Sequence, residues 1–128
     1  MKAAQLYART QTQTASKERT LVLLFQTAAR HMRSGAASLS AGKGPEATVS
    51  FGKASDIVSE LQRTLDATRA PQLAEMLLPL YEYVLLRLSR AITHGDGNAA
   101  LEALRAFTPI VEAFESAVAN LGTPGKAG

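Results

Sequence analysis

Apolar residues recur along the chain at helical spacing, in four segments separated by turn-forming residues. The first segment, LVLLFQTAARHMR, follows Ser16, a predicted N-cap, and runs toward Gly35 or Ser40. Alternating β-branched runs are few, so strands are not indicated. The pattern therefore predicts an all-α protein. Its predicted divisions are an N-terminal segment, a helical bundle domain and a disordered tail, over residues 1–15, 16–121 and 122–128.

Turn-forming residues place the remaining helices. The second helix is predicted from Pro45 to about Asp66, the third from Pro71 to HGDGN, and the fourth from near Asn98 to LGTPGKAG. Short connections make sequential helices neighbours, which predicts an antiparallel up-down four-helix bundle. Prolines at positions 79 and 109 fall inside helical patterns. We expect a kink at each, with a helix break as the alternative at position 79.

The third helix carries more apolar surface than a bundle core requires. Its apolar arc spans roughly 220°, about twice that of a surface helix, and Leu86 falls on its back. Three explanations remain open from periodicity alone. The helix lies in the middle of an irregular fold, the surplus forms a homodimer seam, or it lines a groove for a partner's apolar helix.

Composition narrows the function classes. The chain has 128 residues, no cysteine, a net charge of +3 with scattered Lys and Arg, and 5% aromatic residues. Scattered charge with few aromatics argues against nucleic acid as a partner. Charges at Glu75, Glu82 and Arg87 interrupt the longest apolar stretch, which argues against membrane insertion. No secretory h-region is visible at the N-terminus, so a cytoplasmic location is expected.

Catalytic chemistry is not indicated. The two histidines, His31 and His94, lack metal-ligand spacing and have no cysteine to join them. No serine nucleophile with a plausible base stands out, and the Gly-rich stretch GAASLSAGKG does not match a phosphate loop. We therefore expect no enzyme activity, no cofactor and no metal.

Several short sequence motifs occur in order along the chain. They are Tyr7 followed by TQTAS, then LVLLF, KASDIVSELQRTLD, LLPLYEYVLLRLSRA and ALEALRAFTPIVEAFESAV. In this order and spacing the chain resembles the FliS family of flagellar export chaperones, over about residues 5 to 120. It departs from the family pattern in having no tryptophan, and in carrying FQTA where the family shows Tyr-Asp-Gly-Ala.

The resemblance implies a function without catalysis. It implies a bundle whose apolar surface is wrapped by the C-terminal segment of flagellin, which is disordered alone and helical when bound. Covering that segment would block premature polymerisation, and the complex would be delivered to a component of the flagellar export gate. A homodimeric helical-bundle adaptor with a different partner is the alternative.

The groove side of the second and third helices is the predicted binding surface. Tyr7 and Tyr83 match tyrosines of the family pattern. Two alternatives stay open for the segment around Tyr7: it covers the apolar surface when no client is present, or it is a mobile tail. The predicted partner-binding residues are Tyr7, Ile57, Leu61, Leu65, Leu78, Tyr83, Leu85 and Ile92. Ile57, Leu61 and Leu65 are expected to serve partly as core.

Overall fold

Four α-helices make up the part of the chain that the computed structural model describes. It describes the backbone of residues 3–121 and the side chains of residues 17–120. The helices are α1 (Ala3–Ser40), α2 (Gly44–Thr64), α3 (Pro71–His94) and α4 (Gly97–Leu121). No strand occurs within residues 3–121. The predicted all-α four-helix architecture is confirmed, whereas the predicted tail over residues 122–128 lies outside the described residues.

The start of α1 differs from the sequence prediction. The helix begins at Ala3 instead of following an N-cap at Ser16. Residues 3–16 contain neither glycine nor proline, so nothing in their backbone chemistry stops a helix. The predicted boundary at residue 16 is therefore not a helix boundary.

Backbone chemistry explains the other helix ends. Pro45 lies in the first turn of α2 and Pro71 is the first residue of α3, positions where the missing N–H of proline costs no helical hydrogen bond. Gly95 ends α3 in the left-handed conformation, with φ of 62°, which glycine adopts without steric cost. α3 and α4 continue through Pro79 and Pro109, so the predicted alternative of a break at Pro79 is wrong.

The helices form a ring in which sequential helices are neighbours. α1 packs against α2 and α4, and α3 packs against the same two helices. The ring of Phe25 in α1 stacks on Phe114 near the end of α4, with 4.7 Å between ring centroids. At the other end of the bundle, Leu39 of α1 lies beside Gly97 at the start of α4. The pairs therefore run antiparallel, as the short connections predicted.

Aromatic side chains centre the core. Phe25 is fully buried and also lies 5.5 Å from Phe107 and 6.4 Å from Tyr81, measured between ring centroids. Tyr81 is buried too, and desolvation raises the pKa of its hydroxyl to about 12. The core thus joins α1, α3 and α4 through one aromatic cluster.

Asp96 links the end of α3 to the start of α4. Its carboxylate accepts a hydrogen bond from the Ala99 N–H at 3.1 Å and another from the Arg90 Nε at 3.0 Å. These two interactions, the backbone bond first, lower the pKa of Asp96. A carboxylate at this position caps the unpaired N–H groups of the α4 N-terminus.

We expect Asp96→Ala to lower the melting temperature at pH 7, with a deficit that shrinks in acid. Because the folded pKa of Asp96 is depressed, its contribution is present above the unfolded pKa and is lost as pH falls through the folded pKa. Circular dichroism melts from pH 7 down to about pH 2.5 measure the deficit. Asp56→Ala removes an exposed carboxylate that has no ion pair in the described part of the chain, and controls for lost charge. A deficit that stays constant with pH would contradict this account.

Candidate functional site

The third helix keeps much of its apolar surface outside the core. One stripe of α3 is buried between the neighbouring helices, and it consists of Ala74, Leu77, Tyr81, Val84, Leu88 and Ala91. This stripe is the part of α3 that packs into the core of the bundle. Further large apolar residues of α3 lie on either edge of the stripe and on the outer face of the helix. These additional residues make up the candidate site.

One edge of α3 carries three aliphatic residues in a straight row. Leu78, Leu85 and Ile92 are seven residues apart and each is half-buried. The opposite edge of α3 faces α4, because Arg87 on that edge bonds to Glu102 of α4 at 3.0 Å. The row therefore lies on the edge of α3 that faces α2, where the sequence analysis placed a groove.

The facing edge of α2 carries small side chains. Lys53 lies near His31 of α1, because its charge contributes to lowering the pKa of that histidine, after partial burial and Arg30. The Lys53 side of α2 thus faces α1, and the other edge of the buried α2 stripe faces α3. That edge carries the small residues Thr48, Gly52, Ser55 and Ser59, with Gln62 near its C-terminal end. A Cβ built on Gly52 meets no atom within 4 Å, so open space borders this edge.

The α2–α3 cleft is therefore lined unequally. Leucine and isoleucine side chains lie on the α3 side, whereas the α2 side carries small side chains apart from Gln62 near the end of the helix. Short side chains cannot cover long ones, which is why Leu78, Leu85 and Ile92 stay half-exposed. The cleft offers aliphatic contacts to a segment laid along it.

The outer face of α3 carries a second apolar surface, the outer stripe. It consists of Met76, Pro79, Tyr83 and Leu86, at spacings of three, four and three residues. Met76, Tyr83 and Leu86 are 58%, 43% and 61% exposed. The spacing places them on one side of the helix, in the pattern by which a helix meets another helix.

Charged residues border the outer stripe on both sides. The guanidinium of Arg87 lies 5.9 Å from the Tyr83 ring centroid while it also bonds to Glu102, and this arrangement places it on the α4 side of the stripe. On the other side, exposed Glu75 and Glu82 separate the stripe from the row of Leu78, Leu85 and Ile92. A segment covering both apolar surfaces would need a positive or hydrogen-bonding group opposite these carboxylates.

The structure separates the predicted site residues into groups. Leu78, Leu85 and Ile92 share the α2-facing edge of α3, and Tyr83 belongs to the outer stripe. The side chain of Leu61 is buried in the core, and Leu65 is half-buried just after the end of α2.

Two predicted residues do not join these groups. Ile57 lies one turn after Lys53 and so is on the side of α2 that faces α1, away from the cleft. The side chain of Tyr7 lies outside the described residues, so its predicted role over the apolar surface stays a prediction.

Sequence reasoning did not assign Met76 and Leu86 to the site, although both are exposed on the outer stripe. The available signal was their spacing from Tyr83, which puts all three on the back of α3. A search for the core stripe does not reveal such residues, because it starts from the opposite face of the helix.

A metal-binding cluster and a membrane-spanning helix are both absent from the part of the chain that the structure describes. Within it, no group of three or more His, Asp or Glu side chains is placed to hold a metal ion. No helix in that part combines the length and apolar character needed to cross a bilayer.

Comparison with known proteins shows which protein family the chain matches. The family model for the flagellar protein FliS matches residues 1–121. The flagellar secretion chaperone FliSB of Pseudomonas aeruginosa is 32% identical over 100 residues, an alignment covering 75% of this chain and 79% of the relative. The four-helix bundle and the order of the sequence motifs along the chain agree with this match. The chain belongs to the FliS family of flagellar secretion chaperones.

Proposed function

We propose that this protein is a cytoplasmic export chaperone that binds the C-terminal segment of flagellin. In this proposal the client segment lies along the α2–α3 cleft and across the outer stripe of α3. Covering the client's apolar helices keeps it from polymerising early, and the complex is then delivered to the flagellar export apparatus. The family match and the FliSB relative support a flagellar secretion chaperone, and the client and its route are our proposal.

The exposed outer stripe is the observation that carries the proposal. Met76 and Leu86 are each more than half exposed although the α3 helix already fills its share of the core. Exposed contiguous apolar residues on a soluble domain commonly mark an interaction surface. Their three-and-four spacing fits a helical partner, which is the conformation that we propose for the bound client.

In the proposed mechanism, the free energy gained by burying apolar surface is balanced against the entropy that the client loses when it becomes ordered. A client segment that is disordered alone loses conformational entropy when it becomes helical on α3, and burial of the outer stripe and the Leu78 row offsets this loss. Because the ordering cost lowers the net affinity, a large surface can be covered while release remains feasible. No covalent step is required, so we expect no catalytic activity.

Titration calorimetry with the C-terminal segment of the flagellin encoded in the same genome tests the proposal. We expect one-to-one binding with a negative heat-capacity change, measured from the enthalpy at several temperatures, because apolar surface is buried. An absence of binding heat at every temperature, together with an unchanged circular dichroism spectrum of the mixture, would contradict the proposal.

Self-association is the competing use of the same surface, because the outer-stripe spacing suits a second copy of α3 as well as a client. Light scattering of the free protein separates the two. A monomer that binds the client supports the chaperone. A stable dimer that Leu86→Arg dissociates without unfolding the protein would favour a homodimeric adaptor.

A further inference from the structure

A further surface, partly apolar, lies between α1 and α4, on the side of α4 that faces away from α3. Two shallow hollows meet there at Leu101, which is 46% exposed. The first, of about 460 Å³, extends to Ala36 and Leu39 near the end of α1. The second, of about 420 Å³, extends along α4 through Leu104 to Pro109. Together they form one continuous depression, the α1–α4 groove.

Two arginines border this groove, one from each helix. Arg105 lines the second hollow directly. On α1, Arg33 lies seven residues after Gln26 and seven before Ser40, so all three share one side of the helix. Gln26 donates to the Glu115 carboxylate of α4 at 2.7 Å and Ser40 lines the first hollow. Arg33, which is exposed, therefore lies along the same border of α4.

The positive charge of this border is not neutralised within the described part of the chain. Neither Arg33 nor Arg105 forms an ion pair or side-chain hydrogen bond there. Asp96, which lines the first hollow, already accepts from Arg90, and the nearby Glu115 accepts from Gln26. Exposed Glu112 lies farther along α4, beyond Pro109. The groove thus combines an apolar floor with an unbalanced basic rim over the part that contains Leu101 and Leu104.

We propose that the α1–α4 groove binds an amphipathic helix of a partner protein, one whose apolar residues are flanked by Asp or Glu. Leu101 and Leu104 contact the partner's apolar side chains, and Arg33 and Arg105 pair with its carboxylates. Exposed pairs of this kind select the partner by charge more than they add affinity. Because the groove and the outer stripe of α3 face different directions, a partner here and a client on α3 can be bound together.

Two synthetic helical peptides test the proposal. They share one leucine stripe and differ only in its flanks, glutamate in one and lysine in the other. Fluorescence anisotropy at about 0.15 M salt should show at least roughly tenfold tighter binding of the glutamate peptide. The double variant R33E/R105E should reverse that preference, whereas R69E, which reverses one charge in the exposed α2–α3 loop, should leave it unchanged. Circular dichroism verifies that each variant is folded.

Three outcomes would overturn the proposal. The first is a preference for the glutamate peptide that survives R33E/R105E or that R69E abolishes equally. The second is self-association of the free protein that R33E/R105E removes, because the groove would then belong to a second copy. The third is displacement of the bound peptide by the flagellin segment, which would assign the groove to the client. The first two outcomes leave the client proposal for α3 intact, so failure of the two proposals can be distinguished.

Discussion

Gly35→Ala is expected to lower the free energy of unfolding by roughly 1–3 kcal/mol. Helix propensity alone predicts the opposite, a gain of about 1 kcal/mol from replacing glycine inside α1. The contact with α2 decides the sign. A Cβ built on Gly35 lies 2.5 Å from Cε1 and 2.6 Å from Cδ1 of Phe51, whose side chain is fully buried. The ring would have to move within a close-packed core, which costs more than the helix gains.

Urea unfolding of matched variants measures this effect. Gly52→Ala is the control, because a Cβ there meets nothing within 4 Å and should stabilise α2 by about 0.5–1 kcal/mol. Adding Phe51→Leu to Gly35→Ala should recover part of the loss by making space for the methyl group. Equal stabilisation by Gly35→Ala and Gly52→Ala would show that α1 and α2 do not approach as closely as described.

Leu86→Arg is expected to weaken binding of the flagellin segment by roughly 30-fold or more, the effect of losing a strong interface contact. Leu86 is 61% exposed on the outer stripe of α3, so the change places a charge where the client's apolar helix is proposed to lie. Stability should stay within about 0.5 kcal/mol of wild type because the residue contributes little to the core. Fluorescence anisotropy of the labelled client segment measures the affinity.

Leu23→Arg provides the matched control. Leu23 is 58% exposed, close to Leu86, but it lies on α1 and outside the proposed client surface. We expect its affinity for the client to equal that of wild type. If the two variants weaken binding equally, the effect comes from added positive charge or general apolar loss, and the outer stripe has no special role.

Much of the fold follows from local chemistry that is readable in the sequence. Pro71 and Gly95 bound α3 at the predicted positions, because proline is favoured in the first turn of a helix and glycine readily adopts the left-handed conformation at its end. The first residue of α1 could not be predicted from the sequence, because no helix-breaking residue lies near the predicted cap at Ser16. A capping residue permits a helix start without requiring one.

The site was only partly predictable, for a different physical reason. Periodicity identified the surplus on α3 and placed Leu78, Leu85 and Ile92 on one edge. Periodicity does not show which neighbouring helix each edge faces, because the neighbour depends on whether the bundle is left-turning or right-turning, that is, on its handedness. Ile57 was therefore assigned to the α2–α3 cleft, although its side of α2 faces α1.

We propose that the exposed apolar surface of α3 is the binding surface for a client. Methyl NMR of the protein, titrated with the flagellin C-terminal segment, tests it most directly because each leucine and methionine reports its own environment. The account predicts the largest shift changes at Leu85, Leu86 and Met76, with Leu23 unchanged. Shifts concentrated at Leu23 or Leu101, with the α3 methyl groups unmoved, would contradict it.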